Sequence, residues 1–188
     1  KWEGEKLAGI LRDRTKRDRL IGALFDYVHG NGYSGINIDF EALPQKSHAE
    51  YLAFIADLSA KFGSEKLLIS LSVPFDDPAF DYKGLAKHCA FLVLMAYDEH
   101  WTTGNPGPLA SQPWFEAGLR RRFSELPAYK YIIALGNYGY DWPAKGRGAE
   151  LSFQDAIRVA RESEGRIRMD RESLNPTFEY SDENDIPH

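Results

Sequence analysis

Three stretches of this chain carry residue types that could move protons and grip a polar substrate. The first is Gly35-Ile36-Asn37-Ile38-Asp39-Phe40-Glu41. Side chains alternate faces along a strand, so Ile36, Ile38 and Phe40 share one face and Asn37, Asp39 and Glu41 the other. Buried parallel strands normally read apolar on both faces. Carboxylates on such a strand are costly unless they are hydrogen-bonded or do chemistry. An exposed edge strand would also show this alternation, but strong helix signals on both sides make the segment look central. The second stretch is Met95-Ala96-Tyr97-Asp98-Glu99-His100-Trp101, and the third is Gly136-Asn137-Tyr138-Gly139-Tyr140-Asp141-Trp142. Each directly follows an apolar run. Acids, phenols and indoles at the same end of successive parallel strands describe one cleft.

The elements that must position these groups alternate along the chain. An apolar stripe of Leu20, Ile21, Leu24, Phe25 and Val28 predicts a helix from Thr15 to His29, with Gly30 as its cap. A strand follows at Gly35 to Phe40. The next helix is expected from Ser47 to Phe62, closed by Gly63, and Leu67 to Val73 reads as a buried strand. A short helix near Asp81 to His88 leads to a strand at Phe91 to Met95. Ser111 can cap a helix reaching Glu125, Tyr129 to Leu135 reads as a strand, and Ser152 to Glu162 as a helix. Thr177 to Tyr180 could form a last strand before an acidic, turn-rich tail. Strands alternating with helices mean parallel βαβ units, in an open doubly wound sheet or an arc of a (β/α)8 barrel. No Gly-rich phosphate loop is present: Gly30-Asn31-Gly32 precedes a strand instead of following one.

The bulk numbers narrow the function classes. The 188 residues suggest one domain able to bury a core. A net charge of −5 argues against nucleic acid as a partner. The run Arg120-Arg121-Arg122 reads as a solvated helix face. One cysteine, Cys89, excludes an internal disulfide and leaves the redox compartment open. The longest apolar run, Phe91 to Tyr97, is too short to cross a bilayer. No signal peptide opens the sequence, which starts abruptly at Lys1-Trp2, so any export signal is expected upstream of it. Many of the aromatic residues, 13% of the chain, fall in expected loops: Tyr97, Trp101, Trp114, Tyr138, Tyr140 and Trp142. Such rings suit stacking on a sugar, and also core and rim packing.

With these residues in view, the chain resembles glycoside hydrolase family 18. Ser34-Gly35-Ile36-Asn37-Ile38-Asp39-Phe40-Glu41 is similar to the strand-4 signature Asp-Gly-x-Asp-x-Asp-x-Glu. Met95-x-Tyr97-Asp98 is similar to the strand-6 motif, and Tyr138-Gly139-x-x-Trp142 to the strand-7 stretch. The wording looks most like the bacterial cell-wall and spore-lysin branch, whose domains also occur fused to polysaccharide deacetylase and glycosyltransferase modules. The resemblance implies a partial (β/α)8 barrel, roughly strands 4 to 7. A full barrel needs about 250 residues, so strands 1 to 3 are expected upstream of Lys1, and strand 8 with its sugar-stacking Trp beyond His188. The chain is then expected to be a single domain, the central and C-terminal part of a larger protein. Its expected location is extracytoplasmic or at the cell envelope, with the signal outside this segment.

The same resemblance implies substrate-assisted retaining cleavage of β-linked N-acetylglucosamine polymers such as chitin or peptidoglycan. The substrate's acetamido oxygen would attack its own anomeric carbon. Glu41 would protonate the leaving oxygen and later activate water. Asp39 would orient the acetamido group and stabilise its developing positive charge. Tyr97 and Asp98 would hold the acetamido carbonyl and nitrogen, Tyr138 would help close the pocket, and Met95 would floor it. Trp101 and Trp142 join the expected sugar-binding set. A low-dielectric barrel mouth beside Asp39 would raise the pKa of Glu41, as a general acid requires. Two motif positions depart from the pattern: Ser34 and Asn37 stand where the family has Asp. Asn37 cannot ionise and is expected to offer Asp39 a hydrogen bond. No cofactor or metal is expected.

Two other readings fit some of these residues. A carbohydrate-binding domain would keep the cleft, but inactive relatives usually replace the acid that Glu41 supplies. A metal-dependent hydrolase would use Asp39, Glu41, Asp98 and His100, although their spacing matches no tight metal motif. His29, His48 and His88 lie in or beside helices and are expected to face solvent. The loop with Trp101 and Pro106-Gly107-Pro108 is expected to lie over the cleft and to influence substrate choice; a plain Pro-Gly turn explains the same residues.

Overall fold

The computed structural model of the protein describes residues 4–188. Its contacts fall into two compact units. The first takes residues up to Leu94 with Arg122–Ile133, and the second takes Met95–Arg121 with Ala134–His188.

The first unit is built from α1 (Gly4–Arg12), α2 (Arg14–Gly30), β1 (Gly35–Ile38), α3 (His48–Gly63), β2 (Leu68–Pro74) and α4 (Tyr82–Leu85). It also holds most of β3 (Phe91–Met95), the end of α5 (Gln112–Glu125) and most of β4 (Tyr131–Ala134). The four strands form one sheet in the order β1-β2-β3-β4. Each of β1, β2 and β3 is followed by a helix and then by its neighbour, which is the wiring of an arc of a parallel (β/α) barrel. β1 and β2 are parallel, with Gly35 opposite Leu68 and Asn37 opposite Ser70. One sheet face is apolar and buried, with Ile38, Ile69, Leu71, Val73, Leu92 and Leu94. Helix α3 supplies Tyr51, Phe54, Ile55, Leu58 and Phe62 to the core at helical spacing. Burying each of these side chains stabilises the fold by roughly 1.5–3 kcal/mol.

Several boundaries differ from expectation for local reasons. α1 has no counterpart among the expected helices; it buries Ala8 and Leu11, three residues apart. α2 starts one residue early because the Asp13 side chain accepts from the Lys16 N–H. Gly30 stays helical, and the left-handed residue is Gly32, at φ 70°. The strand expected to reach Phe40 loses its ladder after Ile38, and Glu41 begins a turn.

Gly35 has a steric task. A Cβ there would lie 2.2 Å from the Leu68 carbonyl oxygen, so β1 and β2 can close up only without one. Gly35→Ala is therefore expected to cost about 1–3 kcal/mol of stability, the usual cost of overpacking, read as a lower urea midpoint. An unchanged midpoint would mean that this approach does not matter.

The arginine run is not a solvated face throughout. Arg122 is 2% exposed. Its guanidinium carbon sits 3.8 Å over the Tyr82 ring, and its Nη1 lies 3.0 Å from Glu125. Cation–π attraction and the ion pair offset part of the desolvation cost.

In the second unit, β5 (Tyr138–Asp141) and β6 (Ala149–Ser152) form an antiparallel pair, with Tyr140 opposite Glu150. α6 (Phe153–Glu162) follows, capped by Ser152 as expected, its Oγ accepting from the Asp155 N–H. A two-residue pair, β7 (Arg168–Met169) with β8 (Pro176–Thr177), replaces the strand expected at Thr177 to Tyr180. Trp114 lies in α5 and Tyr138 and Tyr140 lie in β5, so these rings are not in loops. Among the described residues, no helix is long and apolar enough to cross a membrane.

Candidate active site

In the first unit, the carboxylates Asp39 and Glu41 come directly after β1. The side chain of Asn37, two residues before Asp39, bonds to the neighbouring strand through both its nitrogen and its oxygen. Its Nδ2 donates to Ser72 Oγ at 2.9 Å, and its Oδ1 accepts from Ser70 Oγ at 2.8 Å. The hydrogen bond expected from Asn37 to Asp39 is therefore not made: the parallel register puts Ser70 opposite Asn37 and draws its amide sideways. Ser70 and Ser72 are polar partners missing from the expected site. Their alternation with Ile69, Leu71 and Val73 was the available signal.

Asp39 is exposed and Glu41 half-buried. Phe40, between them, packs on Phe54 and Tyr51, at centroid distances of 5.5 and 6.0 Å. That contact anchors the chain between the two acids. Burial raises the pKa of the Tyr51 phenol, and the negative charge of Asp39 adds to the effect. Ala42 follows Glu41 with φ 55°, a left-handed value that costs an alanine roughly 1–2 kcal/mol. A Cβ on Gly4 would meet the Ala42 carbonyl oxygen at 1.8 Å, so a bare glycine of α1 lies against this strained turn. Strain of this kind gathers at functional sites.

In the second unit, residues 138, 140 and 142 share one face of β5 and continue it. Their rings form a row with Tyr97. Tyr97 and Tyr138 meet edge-on at 6.0 Å, Tyr138 and Tyr140 at 5.7 Å, and Tyr140 and Trp142 lie 5.4 Å apart. Gly136 permits the first contact: a Cβ there would come within 3.0 Å of Tyr97 Cβ and 3.2 Å of the Tyr138 ring. Asp98, at φ 62°, receives two phenols on one oxygen. Tyr138 donates to Oδ1 at 2.5 Å and Tyr140 at 2.6 Å. Burial and then the Asp98 carboxylate raise the pKa of both phenols, that of Tyr140 to about 12. Both therefore stay protonated donors across the physiological range. Tyr140, like Ser70 and Ser72, is missing from the expected site set.

The remaining predicted residues have definite places. Met95 ends β3 and is half-buried, and Ala96 N–H donates to the Ala134 carbonyl beside it. Trp101 is 52% exposed, and its indole N–H donates to Thr103 Oγ1. Glu99 accepts from the Ser111 N–H at 2.6 Å and from Ser111 Oγ at 3.0 Å, which ties the loop to the start of α5. His100 lies 3.1 Å from the Pro108 carbonyl, its ring against Gly107. This loop is thus held at both ends. A cleft of about 1070 Å³ in the second unit is lined by Leu109, Tyr138, Tyr140, Trp142, Phe178 and Tyr180. Tyr97 and Asp98 are not among its walls. Among the described residues, no group of three or more His, Cys, Asp or Glu could hold a metal ion.

The sequence model of Glycosyl hydrolases family 18 matches residues 2–184. The chain belongs to this family. The parallel order of its sheet agrees with the barrel of its structural neighbours. The chain is 27% identical over 198 residues to the uncharacterized glycosylase YvbX of Bacillus subtilis, covering all of this chain and 58% of that protein. It is 27% identical over 196 residues to a cortical fragment-lytic enzyme of Bacillus anthracis, covering 95% of this chain and 45% of that one. The crystal structure of a chitinase from Chromobacterium violaceum superposes with a TM-score of 0.88 at 26% identity, over all of this chain and 61% of that chain. The family 18 chain thus spans about half the length of the curated relatives it matches.

Proposed function

We propose that the protein cleaves β-linked N-acetylglucosamine polymers with retention of configuration, using the substrate's own acetamido oxygen as nucleophile. The reading rests on one observation: Asp39 and Glu41 stand two residues apart, directly after β1, in a family 18 chain. Glu41 gives its proton to the leaving oxygen and then takes one from water. Asp39 orients the acetamido N–H and balances the positive charge that develops on the oxazolinium-like intermediate. Tyr97 and Asp98 hold the acetamido group, Tyr138 closes over it, and Met95 forms its floor, while Asn37 keeps β1 and β2 in register. Trp101 and Trp142 offer faces to neighbouring sugars. Chitin and peptidoglycan both present the acetamido group. The likeness to a cortical fragment-lytic enzyme favours a cell-wall glycan and action outside the cytoplasm.

Acetamido participation inverts the anomeric carbon twice and so returns the original configuration. Proton NMR of N-acetylglucosamine oligomers treated with the full-length protein should show the β anomer as the first-formed product. Initial release of the α anomer would overturn the mechanism.

A further inference from the structure

We propose that Tyr140 is a positioning residue that, together with Tyr138, fixes Asp98 through Oδ1 so that its Oδ2 is presented to a donor from the substrate. The inference rests on the functional reading above for the identity of that substrate, an N-acetylated glycan. Both phenols land on the same oxygen. Tyr138 reaches Oδ1 at 2.5 Å and Tyr140 reaches it at 2.6 Å, which leaves Oδ2 outside this clamp.

One bond would leave the carboxylate free to turn about it. Two bonds from different directions on one oxygen define its plane, and charge-assisted bonds of this length are about twice as strong as neutral ones. The strand supplies the geometry. Residues 138 and 140 lie on one face of β5, two apart, so their rings stand side by side at 5.7 Å and in T-shaped contact. The left-handed backbone of Asp98 turns its side chain toward them. Trp142, 5.4 Å from Tyr140, braces the second phenol from behind.

Neither phenol can serve as a proton donor to the reaction, because each is spent on Asp98. Their task is to hold an ionised acceptor still. Glu150, opposite Tyr140 on β6, disfavours the phenolate further, so the hydroxyl remains a donor.

The test is a double-mutant cycle in the full-length protein. Tyr140→Phe keeps the ring and its packing and removes only the hydroxyl. It is expected to lower kcat/KM for N-acetylglucosamine oligomers about tenfold, the effect of losing one hydrogen bond to a charged group. In the Asp98→Asn background the same change should cost less than twofold. An equal loss in both backgrounds would show that Tyr140 acts through packing alone and would overturn the proposal.

A second readout needs no turnover. In protein labelled with [13Cζ]tyrosine, the Tyr140 signal is identified by its loss in Tyr140→Phe. It should begin to titrate at lower pH in Asp98→Asn than in the wild type, since the carboxylate adds to burial in keeping the phenol protonated. Identical titration in the two proteins would also overturn the proposal. If the wild type cleaves no N-acetylated glycan, the functional reading fails by itself, and the NMR result still decides whether Asp98 is clamped.

Discussion

Glu41→Gln in the full-length protein is expected to lower turnover of N-acetylglucosamine oligomers by about 10²–10⁴-fold, the range assigned to a positioned general acid–base group. Binding should change little, because glutamine has the same shape and keeps an acceptor. The physical reason is the leaving group. A sugar alkoxide is too basic to depart unprotonated, and Glu41 is the group assigned to protonate it. An aryl glycoside with a weakly basic leaving group needs no such help. Its first turnover, followed by rapid mixing, should therefore suffer much less than oligomer cleavage. Equal losses on the two substrates would remove Glu41 from the acid role.

Asp39→Asn should fail in a different pattern. The charge of Asp39 is assigned to the acetamido group, which takes part in bond cleavage whatever the leaving group. Removing one preorganised electrostatic partner typically costs about 10²–10³ in kcat. That loss should fall on oligomers and aryl glycosides alike, in kcat more than in KM. The contrast separates the two carboxylates: one variant is rescued by a better leaving group and the other is not. Rescue of Asp39→Asn by the aryl substrate would contradict its role.

Local signals carried much of the fold. The apolar stripes of α2 and α3 and the runs that became β2 and β3 follow from spacing within a few residues. The caps at Ser111 and Ser152 follow from hydroxyl chemistry at fixed offsets. Non-local pairing hid the rest. β5 is a strand because Ala149–Ser152 pairs with it, and its own Tyr-Gly-Tyr-Asp wording reads equally well as a loop. The place of Arg122 depends on the Tyr82 ring, 40 residues away in sequence, so three consecutive arginines looked like a wet helix face.

The candidate site divides the same way. Asp39 and Glu41 stand out because alternation exposes carboxylates where a buried strand would carry hydrocarbon. The partners of Asn37 do not, because they depend on the β1–β2 register, which no single strand encodes. Tyr140 was visible as an aromatic residue and not as a partner of Asp98: the two are 42 residues apart, and only the fold joins them.

The central question is which atom attacks the anomeric carbon. The direct measurement compares cleavage of an N-acetylglucosamine oligomer with that of its N-trifluoroacetyl counterpart by the same full-length protein. Fluorine withdraws electrons from the amide oxygen while leaving its position and nearly its size. A steep fall in kcat, together with no cleavage of the free-amine glycan, is the predicted result. Equal rates on the acetyl and trifluoroacetyl substrates would mean that the amide oxygen is a bystander, and the roles assigned to Asp39, Tyr97 and Asp98 would go with it.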